Sequence, residues 1–177
     1  MPTPLPTVVI VGRPNVGKST LFNRVIRKRV AVVQDEPGIT RDRLYSEATW
    51  GGKTFRIVDT GGILFSDDDP MAEQIRIQAE IALEEADVVL FVTDVGDGLS
   101  PDDRDLAQKF RGFKKPVYVI PNKADHPNHD LLADEFYALG LGEIHPVSGL
   151  HGRNVADLLD RIVADLPEVS EKPEEEE

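Results

Sequence analysis

Eight residues, Gly12-Arg13-Pro14-Asn15-Val16-Gly17-Lys18-Ser19, combine two glycines, a lysine and a hydroxyl at the spacing G-x-x-x-x-G-K-S, a pattern suited to holding phosphate. Glycines let the backbone fold back, so that successive N–H groups and the start of the helix opened by Ser19 and Thr20 surround the anion. Lys18 can then reach the β and γ phosphates. The Ser19 hydroxyl suits magnesium, a hard cation that takes oxygen ligands and keeps most of its water. Downstream, Asp59-Thr60-Gly61-Gly62 ends an apolar stretch. Its carboxylate can hold a magnesium-bound water, and the Gly62 N–H can meet the γ phosphate. Taken alone this is a common turn sequence, and its place one hairpin after the glycine-rich loop gives it meaning. Thr40, in the polar and turn-rich segment Glu36-Pro37-Gly38-Ile39-Thr40-Arg41-Asp42, can close over magnesium and the γ phosphate. Residues 31–42 and 61–70 are therefore expected to be mobile without the γ phosphate.

A second group of residues addresses a base. Asn122-Lys123-Ala124-Asp125 follows the apolar run ending at Ile120. Asp125 is an acceptor-only group that can receive N1–H and the exocyclic amine of guanine, whereas adenine presents a lone pair at N1. Lys123 can lie along base and ribose, and Asn122 can tie this loop to the phosphate loop. Val147-Ser148-Gly149-Leu150 can offer backbone N–H groups to the guanine O6. His126 and His129 read as members of a solvated loop, since Asp125 is already claimed by the base.

These residues must be positioned by a sheet. Val8–Val11, Val88–Val92 and Val117–Ile120 are continuously apolar, as parallel strands covered on both faces must be. Helix-period stripes alternate with them: Leu21, Phe22, Val25 and Ile26; Met71, Ile75, Ala79, Ala82, Leu83 and Ala86; Leu131, Leu132, Phe136 and Leu139; Val155, Leu158, Leu159, Ile162, Val163 and Leu166. Ser100-Pro101-Asp102-Asp103 reads as a helix start, with Gly112 as its stop, and Asn154 as the cap of the last helix. Leu44–Trp50 and Lys53–Asp59, joined by Gly51-Gly52, read as a hairpin, which adds one antiparallel edge strand. The expectation is a three-layer α/β sandwich with a mostly parallel six-stranded sheet.

Bulk properties narrow the function. The 177 residues suit one domain, 1–166, followed by an acidic, disordered tail over 167–177. No cysteine is present, so disulfides and thiol chemistry are excluded. The amino terminus lacks a signal-peptide pattern and no apolar run approaches the ~20 residues of a membrane span, so a cytoplasmic monomer is expected. Net charge is −12; the six Glu and one Lys after Leu166 account for −5, leaving −7 on the body. So acidic a surface argues against general RNA or DNA binding, and no direct nucleic-acid contact is expected.

With these motifs in order, residues 8–166 resemble the translation-factor-like GTPases of the P-loop class, and within them the group containing the Era, MnmE and Der families. Gly12–Asn23, Pro37–Asp42, Asp59–Ile63 and Asp94–Pro101 are most similar to the first GTPase domain of the Der family. The resemblance implies GTP and GDP as ligands, magnesium as cofactor and a role in large ribosomal subunit assembly. It also implies a second GTPase domain and a KH-like RNA-binding domain that this sequence lacks. Ile63 stands where Ras-like proteins place the glutamine that orients water. The potassium-activated relatives imply that Asn15 and backbone carbonyls of Gln34 and Glu36 hold a potassium ion, although Ile39 supplies no hydroxyl where some relatives have threonine. Lys18, Asn15, Thr40 and Gly62 are then the catalytic candidates. The alternative is a nucleotide-controlled binding module with negligible turnover of its own.

Overall fold

The computed structural model describes residues 5–26, 45–62 and 70–167. Five strands, β1 (Thr7–Val11), β2 (Tyr45–Trp50), β3 (Lys53–Asp59), β4 (Val88–Asp94) and β5 (Val117–Asn122), form one sheet in the order β2-β3-β1-β4-β5. β1 runs parallel to β3 and β4, and β5 parallel to β4; β2 is the antiparallel edge. Both halves of the apolar strands are covered. Val8, Ile10, Leu90 and Ile120 face α1 (Lys18–Ile26) and α5 (Val155–Asp165). Val9, Val11, Phe91 and Val119 face α2 (Met71–Glu85) and α3 (Pro101–Gln108). Alternate residues of a strand point to opposite faces, so only a strand covered twice can be apolar at every position. This is the expected three-layer sandwich.

Local chemistry sets the connections. Gly51 and Gly52 both have positive φ, 60° and 81°, as the two central residues of a tight hairpin turn need. Trp50 covers that hairpin, packing on the α5 side of the core with its Nε1–H donating to Asp160 at 2.8 Å. Ser100 and Asp103 exchange backbone N–H bonds at 3.2 and 3.0 Å, a reciprocal cap that opens α3.

Three expectations are corrected. The sheet has five strands among the described residues, not six. Ile144–Val147 runs beside β5 and donates from His145 to Val119 O (2.8 Å) and from Val147 to Pro121 O (3.0 Å), yet it forms only one bridge. A strand residue's N–H and C=O point the same way, so the donor missing from Pro121 falls on this side and the ladder stops. The fourth helix is a single α turn, α4 (His129–Leu132), continuing as a 3-10 helix through Leu139 and ended by Gly140 at φ 73°. Leu131 and Leu132 are exposed there, as is Leu83 on α2, so these leucines are not core. Asn154 does precede α5, but in the left-handed region at φ 64°, and its side-chain amide donates to Pro146 O instead of capping the helix.

Candidate functional site

After β1 the chain passes to β3 on one side and then to β4 on the other. The carboxyl ends of the strands therefore open into a crevice at β1, the place where sheets of this kind bind ligands. Register puts Ile10 opposite Asp59 and Asp94 opposite Asn122, which brings three separate motifs to one end of the sheet.

The loop between β1 and α1 is glycine-dependent at both ends. A Cβ on Gly12 would lie 2.6 Å from Val92 O, and one on Gly17, where φ is 97°, would lie 2.3 Å from the Asn122 amide nitrogen. Lys18 is buried and its Nζ donates to Gly12 O (2.7 Å) and Arg13 O (2.8 Å). Burial draws its ammonium down from 10.5 to about 8, with Asp59 opposing and Arg13 adding to the fall. Pro14, Asn15, Ser19 and Thr20 are exposed, whereas Val16 is buried. The Arg13 guanidinium turns away to Asp97 (3.2 Å) and Asp103 (3.4 Å), so what Arg13 offers the site is its backbone.

Ser19 Oγ donates to Asp59 Oδ2 at 3.1 Å, and Gly61 N–H donates to Asp59 Oδ1 at 2.8 Å. Burial raises the Asp59 carboxyl against the lowering effects of Gly61, Lys18 and Ser19. A hydroxyl and a carboxylate converging in this way are the hard oxygen donors that magnesium takes, so the residues present fit it. Thr60, Gly61 and Gly62 form a 3-10 turn directly after β3. Thr40, Gln34, Glu36, Ile39 and Ile63 lie outside the described residues, as do most of the two segments expected to follow the γ phosphate.

Asn122 joins the two halves of the crevice. Its amide donates to Val16 O (2.8 Å) and its carbonyl accepts from Gly149 N–H (2.9 Å), the tie expected of it. Lys123, at φ 69°, donates to Asn15 O (2.8 Å) and pairs with Asp94 (2.9 Å). Asp125 is exposed, and its carboxylate makes no hydrogen bond among the described residues. Ser148 is buried, with its hydroxyl receiving the His151 N–H. Asn122 takes the Gly149 N–H and Arg24 donates to the Gly149 and Leu150 carbonyls (3.0 and 2.5 Å), while the Leu150 side chain is exposed.

Two residues escaped sequence reasoning. Gln78 on α2 is buried and its Oε1 accepts from Gly12 N–H (2.9 Å) and the Thr60 hydroxyl (3.0 Å). Gln74 and Gln78 interrupt the apolar stripe of α2 on its buried face, and that was the available signal. Asp94 holds Lys123 and also receives Gly96 and Asp97 N–H. Burial raises its carboxyl, but Lys123 and these backbone donors outweigh that and hold it below the ordinary value.

Residues 7–123 match the family described as 50S ribosome-binding GTPase. The chain belongs to that family. GTPase Der of Moorella thermoacetica is 51% identical over 166 residues, covering 94% of this chain and 38% of that protein. GTPase Der of Geobacillus kaustophilus is 51% identical over 162 residues, covering 92% and 37%. The GTPase domain described here thus spans under two fifths of the length of these relatives, and it corresponds to their first GTPase domain. Among solved structures, a probable GTP-binding protein engB aligns with a TM-score of 0.65 at 28% identity, covering 89% of this chain and 97% of that one. The FeoB G-domain from Methanococcus jannaschii aligns with a TM-score of 0.62 at 21% identity over 92% and 97%, a likeness of fold. No helix among the described residues is long and apolar enough to cross a membrane.

Proposed function

We propose that this GTPase domain binds GTP and hydrolyses it to GDP and phosphate, as the amino-terminal part of a protein acting on the large ribosomal subunit. The observation that carries the reading is the Asn122 bridge, because it ties the Gly12–Ser19 loop to the Gly149 backbone and to its own Asn122-Lys123-Ala124-Asp125 segment. Lys18 lies at the floor of the loop, where an ammonium can meet β and γ oxygens. Ser19 and Asp59 would hold magnesium, which neutralises phosphate charge when bound. The Gly62 N–H, at the end of the 3-10 turn, donates to the γ phosphate, and Thr40 closes the other side. Asp125 accepts both guanine N–H groups, Lys123 flanks the base, and Leu150 offers its backbone to O6.

The family's resemblance to potassium-activated relatives adds a finer statement. Asn15 is exposed at the loop, with its backbone carbonyl held by Lys123 and its side-chain oxygen directed to no described partner. That oxygen can coordinate potassium beside the phosphates and supply positive charge in place of the arginine finger of other GTPases. The test is GTP turnover at saturating substrate in potassium and in sodium at matched ionic strength. Potassium should be faster, and Asn15→Ala should lose the difference while retaining GDP. Equal rates in both salts would assign the missing charge to an external partner, and absence of turnover in both would favour a binding module.

A further inference from the structure

The carbonyl oxygen of Gln78 is a meeting point of three parts of the crevice. It accepts from the first residue of the phosphate loop, Gly12, and from Thr60 in the Asp59-Thr60-Gly61-Gly62 turn, while its own backbone belongs to α2. The side chain is buried, with 2% of the residue exposed, so no water competes for these bonds. Its orientation is fixed by chemistry. Were the amide reversed, its NH₂ would face the Gly12 N–H donor to donor. The Thr60 hydroxyl has one proton, shared between Gln78 and Ile10 O at 2.7 Å. Ile10 lies on β1 opposite Asp59, so the node also pins the strand ends that carry the phosphate loop and the magnesium carboxylate.

Gly12 sets what this node leaves for nucleotide. Its N–H is spent on Gln78 and its C=O on Lys18, and the residue is pressed against Val92 O. It therefore acts as a mount for the loop rather than as a phosphate donor. The donor on the other side of the node is different in kind. Gly62 lies two residues beyond Thr60, in the same 3-10 turn, and faces only the γ phosphate in the proposed function. The Thr60–Gln78 contact holds that turn against α2 and beside the phosphate loop, so that loosening the contact leaves the Gly62 N–H less well placed to meet a γ phosphate.

We infer that Gln78 is a positioning residue that couples α2 to the γ-phosphate state of the crevice through Thr60 and Gly12. The inference rests on the proposed GTP-binding function and names its internal regulation. Loss of the Gln78 acceptor leaves Gly12 N–H unpaired in free, GDP-bound and GTP-bound protein alike, so that part cancels from relative affinities. The Thr60 part does not cancel, because the turn contacts nucleotide only when a γ phosphate is present.

Two variants separate positioning from packing. Gln78→Met keeps the length of the side chain and removes the acceptor; Thr60→Ser keeps the hydroxyl donor on the other side of the same bond. Affinities for GDP and a non-hydrolysable GTP analogue are measured by titration calorimetry, with thermal midpoints recorded alongside. Gln78→Met should weaken the analogue about 10-fold while GDP changes less than about 3-fold, and Thr60→Ser should keep the wild-type ratio. Thr60→Val, which removes the donor from the other side, should lower the ratio in the same direction, and it decides the matter if Gln78→Met does not fold. A lowered thermal midpoint with an unchanged analogue-to-GDP ratio in these variants would overturn the coupling and leave Gln78 a packing residue. If the wild-type protein binds neither nucleotide, it is the GTP reading that fails.

Discussion

The two halves of the crevice are built on opposite plans. The phosphate half is sunk into the sheet: Lys18 and Asp59 are 7% and 5% exposed, and burial shifts both groups toward their neutral forms. The base half stands at the surface, where Asp125 and Lys123 are exposed and the charge of Asp94 is stabilised by its partners. The proposed function gives the contrast a physical reason. A polyphosphate brings enough negative charge to repay the desolvation of a lysine, so a buried cation is held in reserve for it. In the proposed function guanine brings two N–H groups and no charge, so an acceptor that stays in water until the base arrives would suit it. Between them, the uncharged Asn122 connects the halves through a donor and an acceptor, and no change of protonation disturbs it.

The largest way to break this contrast is Lys18→Ala. It should lower GTP turnover by about 10²–10³-fold or more, the scale for removing one buried charge-stabilising donor. Single-turnover kinetics checks this, and a loss below about 3-fold would mean that the buried lysine is structural. The next is Asn122→Ala, which leaves Val16 O and Gly149 N–H without partners. It should cost about 2–4 kcal/mol of stability in urea unfolding of the free protein, since each buried group loses its bond. It should also weaken GDP and the GTP analogue together, because both halves lose their common reference. The smallest is acid. The Asp94 carboxyl lies below its ordinary 3.8 in the folded protein, so its stabilising pairing with Lys123 is fully present above that value. It is lost only as pH falls below about 3.8 and through the folded value. Asp94→Asn should therefore weaken GDP only about 3-fold at neutral pH, by freeing Lys123, with an effect on stability that disappears in acid.

How legible these halves were follows from what each is made of. The glycine–lysine loop, the Asp59 turn and the Asn122 motif are local runs, and a strand before each fixes where it must sit. The three-layer arrangement was equally legible from Val8–Val11 and Val88–Val92, whose unbroken apolar character demands cover on both faces. What stayed hidden depends on contacts between distant residues. Gln78 lies 66 positions from Gly12, and in sequence it looks like a flaw in an amphipathic helix. Asp94 ends an apolar strand like any polar boundary residue until Lys123 is placed beside it. The sixth strand failed for a local reason that was visible: Pro121 has no N–H to give, and periodicity alone does not register a missing donor. Leu131 and Leu132 show the reverse error, since apolar spacing without a partner surface leaves leucines in water.

The central claim is that one crevice reads phosphate and guanine together, with Asp125 as the reader of the base. The direct measurement is competition binding of GTP, ATP and xanthosine triphosphate to the wild-type domain and to Asp125→Asn. The wild-type protein should favour GTP over ATP by about 10⁴-fold, the discrimination available where the wrong base leaves a polar group unpaired. Asp125→Asn should weaken GTP by a comparable factor and bind xanthosine triphosphate better than GTP, because an amide donor matches the carbonyl that xanthine carries in place of the amine. ATP competing as well as GTP in the wild-type protein, or an Asp125→Asn protein that still prefers GTP, would contradict the account.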